Sequence, residues 1–325
     1  MQNILLASAN ELVEKNNIIF GPINSRRFGM SLGVDLSPSS KQCNFDCLYC
    51  ELAPMATVDS QSVVVEVKTI IQELKKHLDE KIDVITLTAN GEPTLYPKLS
   101  ELIGEIDKIK NKTQTLILTN SATLIDSNVF NSLLKLDQVK LSLDAISTDV
   151  FKKIDRPHES IKIDEVVTKV KEFSRIYKGK LFIEILFVHG LNDTKEEIQK
   201  LNEVLLGIEC ERIDLGTIDR PPAYPVMGIS YKELHEIAVQ FDSSLPIHIA
   251  SRIHAEPNNA YYCDEEILNT LDKRPLTQDD ISLLFDIDTV ERLNSLIKMQ
   301  KVVKKRVGNL EFLIPHDNLK RKLKK

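Results

Sequence analysis

Three of the chain's five cysteines, Cys43, Cys47 and Cys50, fall within eight residues at C-x3-C-x2-C spacing. Thiolates grouped so tightly are metal ligands by type, and zinc and an iron-sulfur cluster are the two centres that take them. A structural zinc site closes its tetrahedron with a fourth Cys or His, ordinarily from a second pair at short spacing. Cys210 and Cys263 stand alone and the seven histidines are dispersed. The segment therefore offers three ligands and one open position. On a [4Fe-4S] cluster an open iron can bind a substrate or cofactor directly, and cysteine ligation gives the low potentials needed to reduce an inert bond. Phe45 and Tyr49 supply an apolar shield around the thiols, as a cluster requires.

Further polar groups sit where short apolar runs end. Thr88-Ala89-Asn90-Gly91-Glu92-Pro93-Thr94 follows one such run, Thr119-Asn120-Ser121 another, and Lys140-Leu141-Ser142-Leu143-Asp144 forms the end of a third. Ser142 and Asp144 share a strand face, since side chains alternate with a period of two. Glu184 lies inside Phe182-Ile183-Glu184-Ile185-Leu186-Phe187, where an unpaired buried carboxylate would cost several kcal/mol, so it needs a partner or water. His189, Asn192 and Asp193 are turn residues or substrate contacts, and the turn is the expectation for Asp193. Arg220 offers a bidentate clamp for a carboxylate or phosphate, or a partner for a neighbouring acid. Arg26 and Arg27, near Gly29 and Gly33, suggest either anion recognition or a packed N-terminal extension.

These residues need a scaffold. Candidate strands at 33–36, 84–89, 115–119, 139–144, 181–188 and 212–218 alternate with amphipathic segments near 62–79, 97–110, 124–135, 161–177 and 194–206. Six β-α units in succession predict an α/β fold with a parallel sheet, with the chemistry at the strands' C-terminal ends. Periodicity does not say whether that sheet closes. Composition, 42% hydrophobic and 28% charged with a net charge of −6, suits a soluble enzyme. There is no apolar run of membrane-spanning length and no basic-then-apolar leader, so no membrane partner is expected. Clustered rather than paired thiols predict a reducing, cytoplasmic setting.

The C-x3-C-x2-C motif with an aromatic residue before its last cysteine resembles the signature of the radical S-adenosylmethionine (radical SAM) superfamily. The segments Gly21 to Arg27, Ser31 to Asp35 and Cys43 to Glu51 together resemble its wyosine-synthesis-like iron-sulfur oxidoreductase branch. The resemblance implies a partial (βα)6 TIM-like barrel over residues 1–264. It implies that Cys43, Cys47 and Cys50 ligate a [4Fe-4S] cluster while S-adenosyl-L-methionine binds the fourth iron, and that Tyr49 belongs to the cofactor site. Gly91, Glu92 and Pro93 match a glycine-glycine-glutamate-proline motif, with Asn90 in place of its first glycine, and are expected to serve the cofactor's methionine amino group. Asn120, Ser142 and Asp144 are candidates for its carboxylate and ribose hydroxyls, helix capping being the alternative for Asn120 and Ser121. Glu184 is expected in the cofactor or substrate cavity. A one-electron reductant such as flavodoxin or ferredoxin is the implied partner. The chain has no cysteine before Cys43, so the second cluster expected of true wyosine-base synthases has no ligands there.

Residues 301–325 carry nine Lys/Arg against Glu311 and Asp317, a balance of +7 that leaves −13 on residues 1–300. Over 265–325, a Pro-Leu-Thr start at Pro275, helical spacing through Leu283, Leu284, Val290, Leu293, Leu296 and Ile297, and a hairpin at 302–314 predict a winged-helix-like domain. With Lys304, Lys305, Arg306 and the basic tail it suggests either an RNA or other nucleic-acid partner or a protein-docking module. Two other functions fit the same residues: an RNA-modifying enzyme with radical chemistry, and a noncatalytic iron-sulfur redox sensor that binds DNA.

Overall fold

A computed structural model of the chain describes residues 18–25, 27–78, 81–249, 261–273, 275–307 and 310–316. Its main body is an eight-stranded sheet in the order β1 to β8: Ile19–Ser25, Gly29–Asp35, Val84–Thr88, Gln114–Thr119, Gln138–Ser142, Lys180–Phe187, Arg212–Thr217 and Ile247–Ile249. β1 and β2 form an antiparallel hairpin, and β2 through β8 are all parallel. The sequence predicts six β-α units, but the parallel run has seven strands, preceded by the antiparallel β1. Both additions evade periodicity. β1 is broken by Gly21-Pro22 and a register shift between Phe20 and Ile23, and β8 is three residues long.

Along each strand the side chains alternate. Leu32, Val34, Ile85, Leu87, Ile117, Val139 and Leu141 are wholly buried and pack with helices α1 (Val67–His77), α2 (Leu99–Asp107), α3 (Ser127–Leu133), α4 (Thr148–Ile154), α5 (Ile163–Ile176), α6 (Lys195–Leu205) and α7 (Tyr231–Ala238) into one core. The intervening residues, Ser31, Gly33, Asp35, Thr86, Thr88, Leu116, Leu118, Lys140 and Glu184, line a single cavity of about 410 Å³. Side chains from five consecutive strands meet around that space, so the sheet curls about it. Its open side lies between β1 and β8, which end the strand order.

The helices are set by local signals. α1 buries Val67, Ile70, Ile71 and Leu74, one apolar stripe at helical spacing. α6 starts at Thr194, whose hydroxyl accepts from Glu197 N at 3.3 Å, and α7 starts at a Ser230–Glu233 capping box. Among the described residues no helix is long and apolar enough to cross a membrane.

The C-terminal segment runs α8 (Asp264–Lys273), β9 (Leu276–Thr277), α9 (Gln278–Leu284), α10 (Ile287–Lys298), β10 (Val302–Val307) and β11 (Leu310–Pro315). The hairpin expected at 302–314 forms, and β9 adds to β11 as a third antiparallel strand that two residues were too few to announce. Its core, with Ile267, Leu271, Leu276, Ile281 and Leu293 buried, also takes in Ile23 and packs against Phe20 of β1. The Arg26, Arg274 and Gly308-Asn309 positions, the Arg306 side chain and the basic residues of 317–325 lie outside what is described.

Candidate active site

The loop after β2 carries the three cysteines, and the loops after β3, β4 and β7 and the α4–α5 connection hold it. Gln42 bridges Gly91 in parallel fashion: Gln42 N donates to Asn90 O at 2.9 Å, and Glu92 N donates to Gln42 O at 3.0 Å. This close approach explains the glycine. Gly91 has φ +132, and a Cβ there would stand 2.0 Å from Gln42 O. The Gln42 side chain, itself buried, joins Ser37, Ser62 and Val63. On the β5 side, Asp46 N donates to Asp155 O at 3.1 Å, Leu48 N to Ile154 O at 2.8 Å and His158 N to Asn44 O at 2.8 Å. On the β7 side, Ala223 N donates to Cys50 O at 2.8 Å, and the Tyr224 hydroxyl donates to Asp46. Asp46 also meets Lys41 at 3.3 Å and Arg156 at 3.4 Å, and the Arg156 guanidinium lies 4.8 Å over the Tyr224 ring.

Cys43, Cys47 and Cys50 are all free thiols and partly buried. Burial, with the Glu92 charge second, pushes the Cys43 thiol up to about 12; burial also raises Cys50, and takes Cys47 well above the ordinary thiol range. Protons are therefore hard to remove from these sulfurs unless a cation takes their place. Among the described residues no three His, Cys, Asp or Glu side chains converge as a single metal ion would demand. A cluster asks for something different, three thiolates from one loop, each on its own iron, under an apolar cover. That donor set is present: Phe45 is buried and packs edge-on against Phe151 at 5.5 Å.

Glu92 is buried and accepts four hydrogen bonds, from Thr94 N at 3.1 Å, the Thr94 hydroxyl, the Thr119 hydroxyl at 2.6 Å and Asn120 N at 2.8 Å. Burial raises its pKa while these donors oppose the rise. Its side chain thus fixes the Asn120 backbone. Pro93 opens the short 3-10 turn Pro93–Leu95 that Glu92 caps. Asn120 Nδ2 donates to Asn44 Oδ1 at 2.6 Å, joining the β4 loop to the cysteine loop. The Ser121 hydroxyl donates to the carbonyl of Ser142 at 2.8 Å. The Tyr49 hydroxyl donates to Asp144, which also accepts Leu186 N at 2.7 Å. Burial pushes Asp144 up to about 7, against those two hydrogen bonds. Asp155, buried next to Cys47 and Tyr49, is raised further by burial and then by Asp144.

Glu184 lies elsewhere, in an ion network inside the sheet. Arg27 Nη1 reaches Glu184 Oε1 at 2.8 Å and Asp214 Oδ2 at 3.0 Å. Lys140 joins Glu184, and Asp214 at 3.5 Å; Arg212 and His248 meet Asp214 at 2.8 and 3.1 Å. Burial alone would raise the two carboxyls, but Lys140 and Arg27 outweigh it and hold both below the ordinary carboxylate range. Arg220 pairs with Glu51 beside Cys50. Asn192 and Asp193 are turn residues: Asn192 Nδ2 donates to Asp144 O at 2.9 Å and Leu186 O at 2.8 Å, and Asp193 accepts Gly190 N at 3.0 Å.

Sequence reasoning passed over Lys140, Asp214 and Asp155. The signal that picked out Glu184, a charge inside an apolar strand, also marks Lys140 and Asp214. Asp155 had none, because it follows a helix and the residues around it, Phe45 and Tyr49 of the cysteine loop and Asp144 among them, are distant in sequence or separated by a helix.

A curled parallel sheet with a three-cysteine loop at its C-terminal edge defines a recognised class. The radical SAM superfamily model matches residues 37–202. The chain belongs to the radical SAM superfamily, whose members are enzymes. A UPF0026 protein of Helicobacter pylori strain J99 is 38% identical over 299 residues, which are 91% of this chain and 96% of that relative. A radical SAM methyltransferase from Sphaerobacter thermophilus shares the fold with a TM-score of 0.55 and 14% identity, covering 68% of this chain and 66% of that one. SuiB of Streptococcus suis, bound to S-adenosylmethionine, gives 0.51 and 19%, covering 65% and 49%. The main body is thus the partial TIM barrel of this superfamily.

Proposed function

We propose that the protein binds a [4Fe-4S] cluster on Cys43, Cys47 and Cys50 and uses S-adenosylmethionine to take a hydrogen atom from a small substrate held in the barrel. The observation that carries this reading is the anchoring of the cysteine loop by the loops after β3, β4 and β7 and by the α4–α5 connection, next to the Ala89–Asn90 wall of the 410 Å³ cavity. A cluster held by those three cysteines would supply the one-electron reduction that cleaves the sulfonium of S-adenosylmethionine, the source of a 5′-deoxyadenosyl radical and methionine. The chain's own residues do the positioning. Gly91 brings the β3 loop against the cysteine loop, and Glu92, through Asn120 N, fixes the β4 loop beside it. Asn120, Ser142 and Asp144 then stand as hydrogen-bonding groups for the cofactor, with Tyr49 orienting Asp144. Phe45 and Phe151 exclude water on the buried side of the loop.

A one-electron donor of the flavodoxin or ferredoxin kind completes the reading, since the proposed chemistry needs an electron the chain does not supply. The RNA-modifying alternative rests on the basic balance of residues 301–325 alone. The test is iron and sulfide content after anaerobic reconstitution. Wild type is expected to hold about four of each per chain, and Cys43→Ala, Cys47→Ala and Cys50→Ala each far less. Full loading of all three variants would refute the ligand assignment.

A further inference from the structure

The cavity extends from Ala89 and Asn90, next to the cysteine loop, down the inside of the sheet to Arg27. Arg27 enters from the β1–β2 turn, at the opposite end of the strands. Only its Nη1 is committed within the ion network, to Glu184 and Asp214. Nε and Nη2 make no hydrogen bond among the described residues, although the side chain is only 21% exposed and lines the cavity. A guanidinium presents Nε–H and Nη2–H as a coplanar pair matched to two oxygens of one oxyanion. The charge of the ion network at Arg27 favours an anion there. Arg27, Lys140 and Arg212 face two carboxylates, Glu184 and Asp214, a surplus of one positive charge.

We propose that Arg27 anchors an oxyanion group of the substrate, carboxylate or phosphoryl, at the β1–β2 end of the cavity. The proposal rests on the radical SAM reading for its meaning, since it fixes which part of the substrate is turned toward the cysteine loop. Glu184 stands three residues before the end of β6, which at about 3.3 Å per residue puts the anchor roughly 10 Å below the strand ends. A bound molecule therefore has its anion at Arg27, passes between Leu116, Leu118 and Thr88, and offers a C–H about 10 Å away, at the height of the cysteine loop.

The full-length, cluster-loaded protein would be titrated with inorganic phosphate and, separately, with acetate, following the 31P resonance or the labelled carboxylate carbon. Tighter phosphate binding identifies a phosphorylated substrate, and tighter acetate binding a carboxylate. Arg27→Lys keeps a cation against Glu184 and Asp214 and removes the paired donors, so it is expected to weaken the preferred anion about tenfold or more. In the wild type, the same anion should protect Arg27 from phenylglyoxal, read by peptide mass spectrometry, a measurement that needs no variant to fold. Equal affinities in wild type and Arg27→Lys, no binding of either anion, or labelling of Arg27 that neither anion changes would each overturn the proposal. The radical reading fails separately, on absence of 5′-deoxyadenosine from the wild type.

Discussion

At Gly91 two demands meet in one residue: a φ of +132, and a carbonyl oxygen 2.0 Å from where a Cβ would stand. Gly91→Ala must either strain the backbone, at about 1–3 kcal/mol, or push the cysteine loop away from β3. The expected outcome is a soluble protein that takes up less than about half the wild-type iron on reconstitution, with a melting temperature lowered by several degrees. Undiminished iron uptake would show that the loop does not depend on this contact. The need for glycine here was legible from the motif, and so were the three cysteines. The role of Glu92 was not, because its four donors come from Thr94, Thr119 and Asn120, on segments whose approach depends on the folded sheet. Tyr49 likewise finds its partner, Asp144, across 95 positions of sequence.

At the scale of the strands, the inside of the sheet carries a charge network on β5, β6 and β7 plus the β1–β2 turn. Glu184 and Asp214 titrate below their unfolded values, because Lys140 and Arg27 outweigh the opposing effect of burial. Protons therefore bind the unfolded chain more readily than the folded one. The stability the network contributes is complete above the ordinary carboxylate range and is lost as pH falls through the lowered folded values. Glu184→Gln should be about 2 kcal/mol less stable than wild type at pH 7, less than for a wholly buried pair because Glu184 is 33% exposed. On acidification from pH 7 through the lowered folded value the gap should close. Urea titrations across that range check it, and a gap independent of pH would contradict it. The central strands and most helices were readable from period-two and helical spacing. β1 and β8 were not: one is interrupted by Gly-Pro, and the other is too short to carry a pattern.

For the molecule as a whole, the C-terminal segment has a core of its own that meets the barrel at β1. Its core includes Ile23 of β1, the Tyr262 hydroxyl donates to Pro22 O, and Pro275, Asp280 and Phe312 form part of the cavity wall. The charge balance gave no hint of this contact with β1, since apolar residues at 20 and 23 name no partner. Ile267→Ala, at a wholly buried α8 position, should lower stability by about 2–5 kcal/mol and leave a single calorimetric transition for the chain. Two transitions, with only the smaller one shifted, would show that the segment folds apart from the barrel. The central claim is the radical chemistry. It is tested most directly by reducing the anaerobically reconstituted protein with S-adenosylmethionine and measuring 5′-deoxyadenosine by chromatography, wild type beside Cys47→Ala. Formation by wild type alone is the predicted result; a verified reduced cluster that yields none, with or without cell extract as a source of substrate, would contradict it.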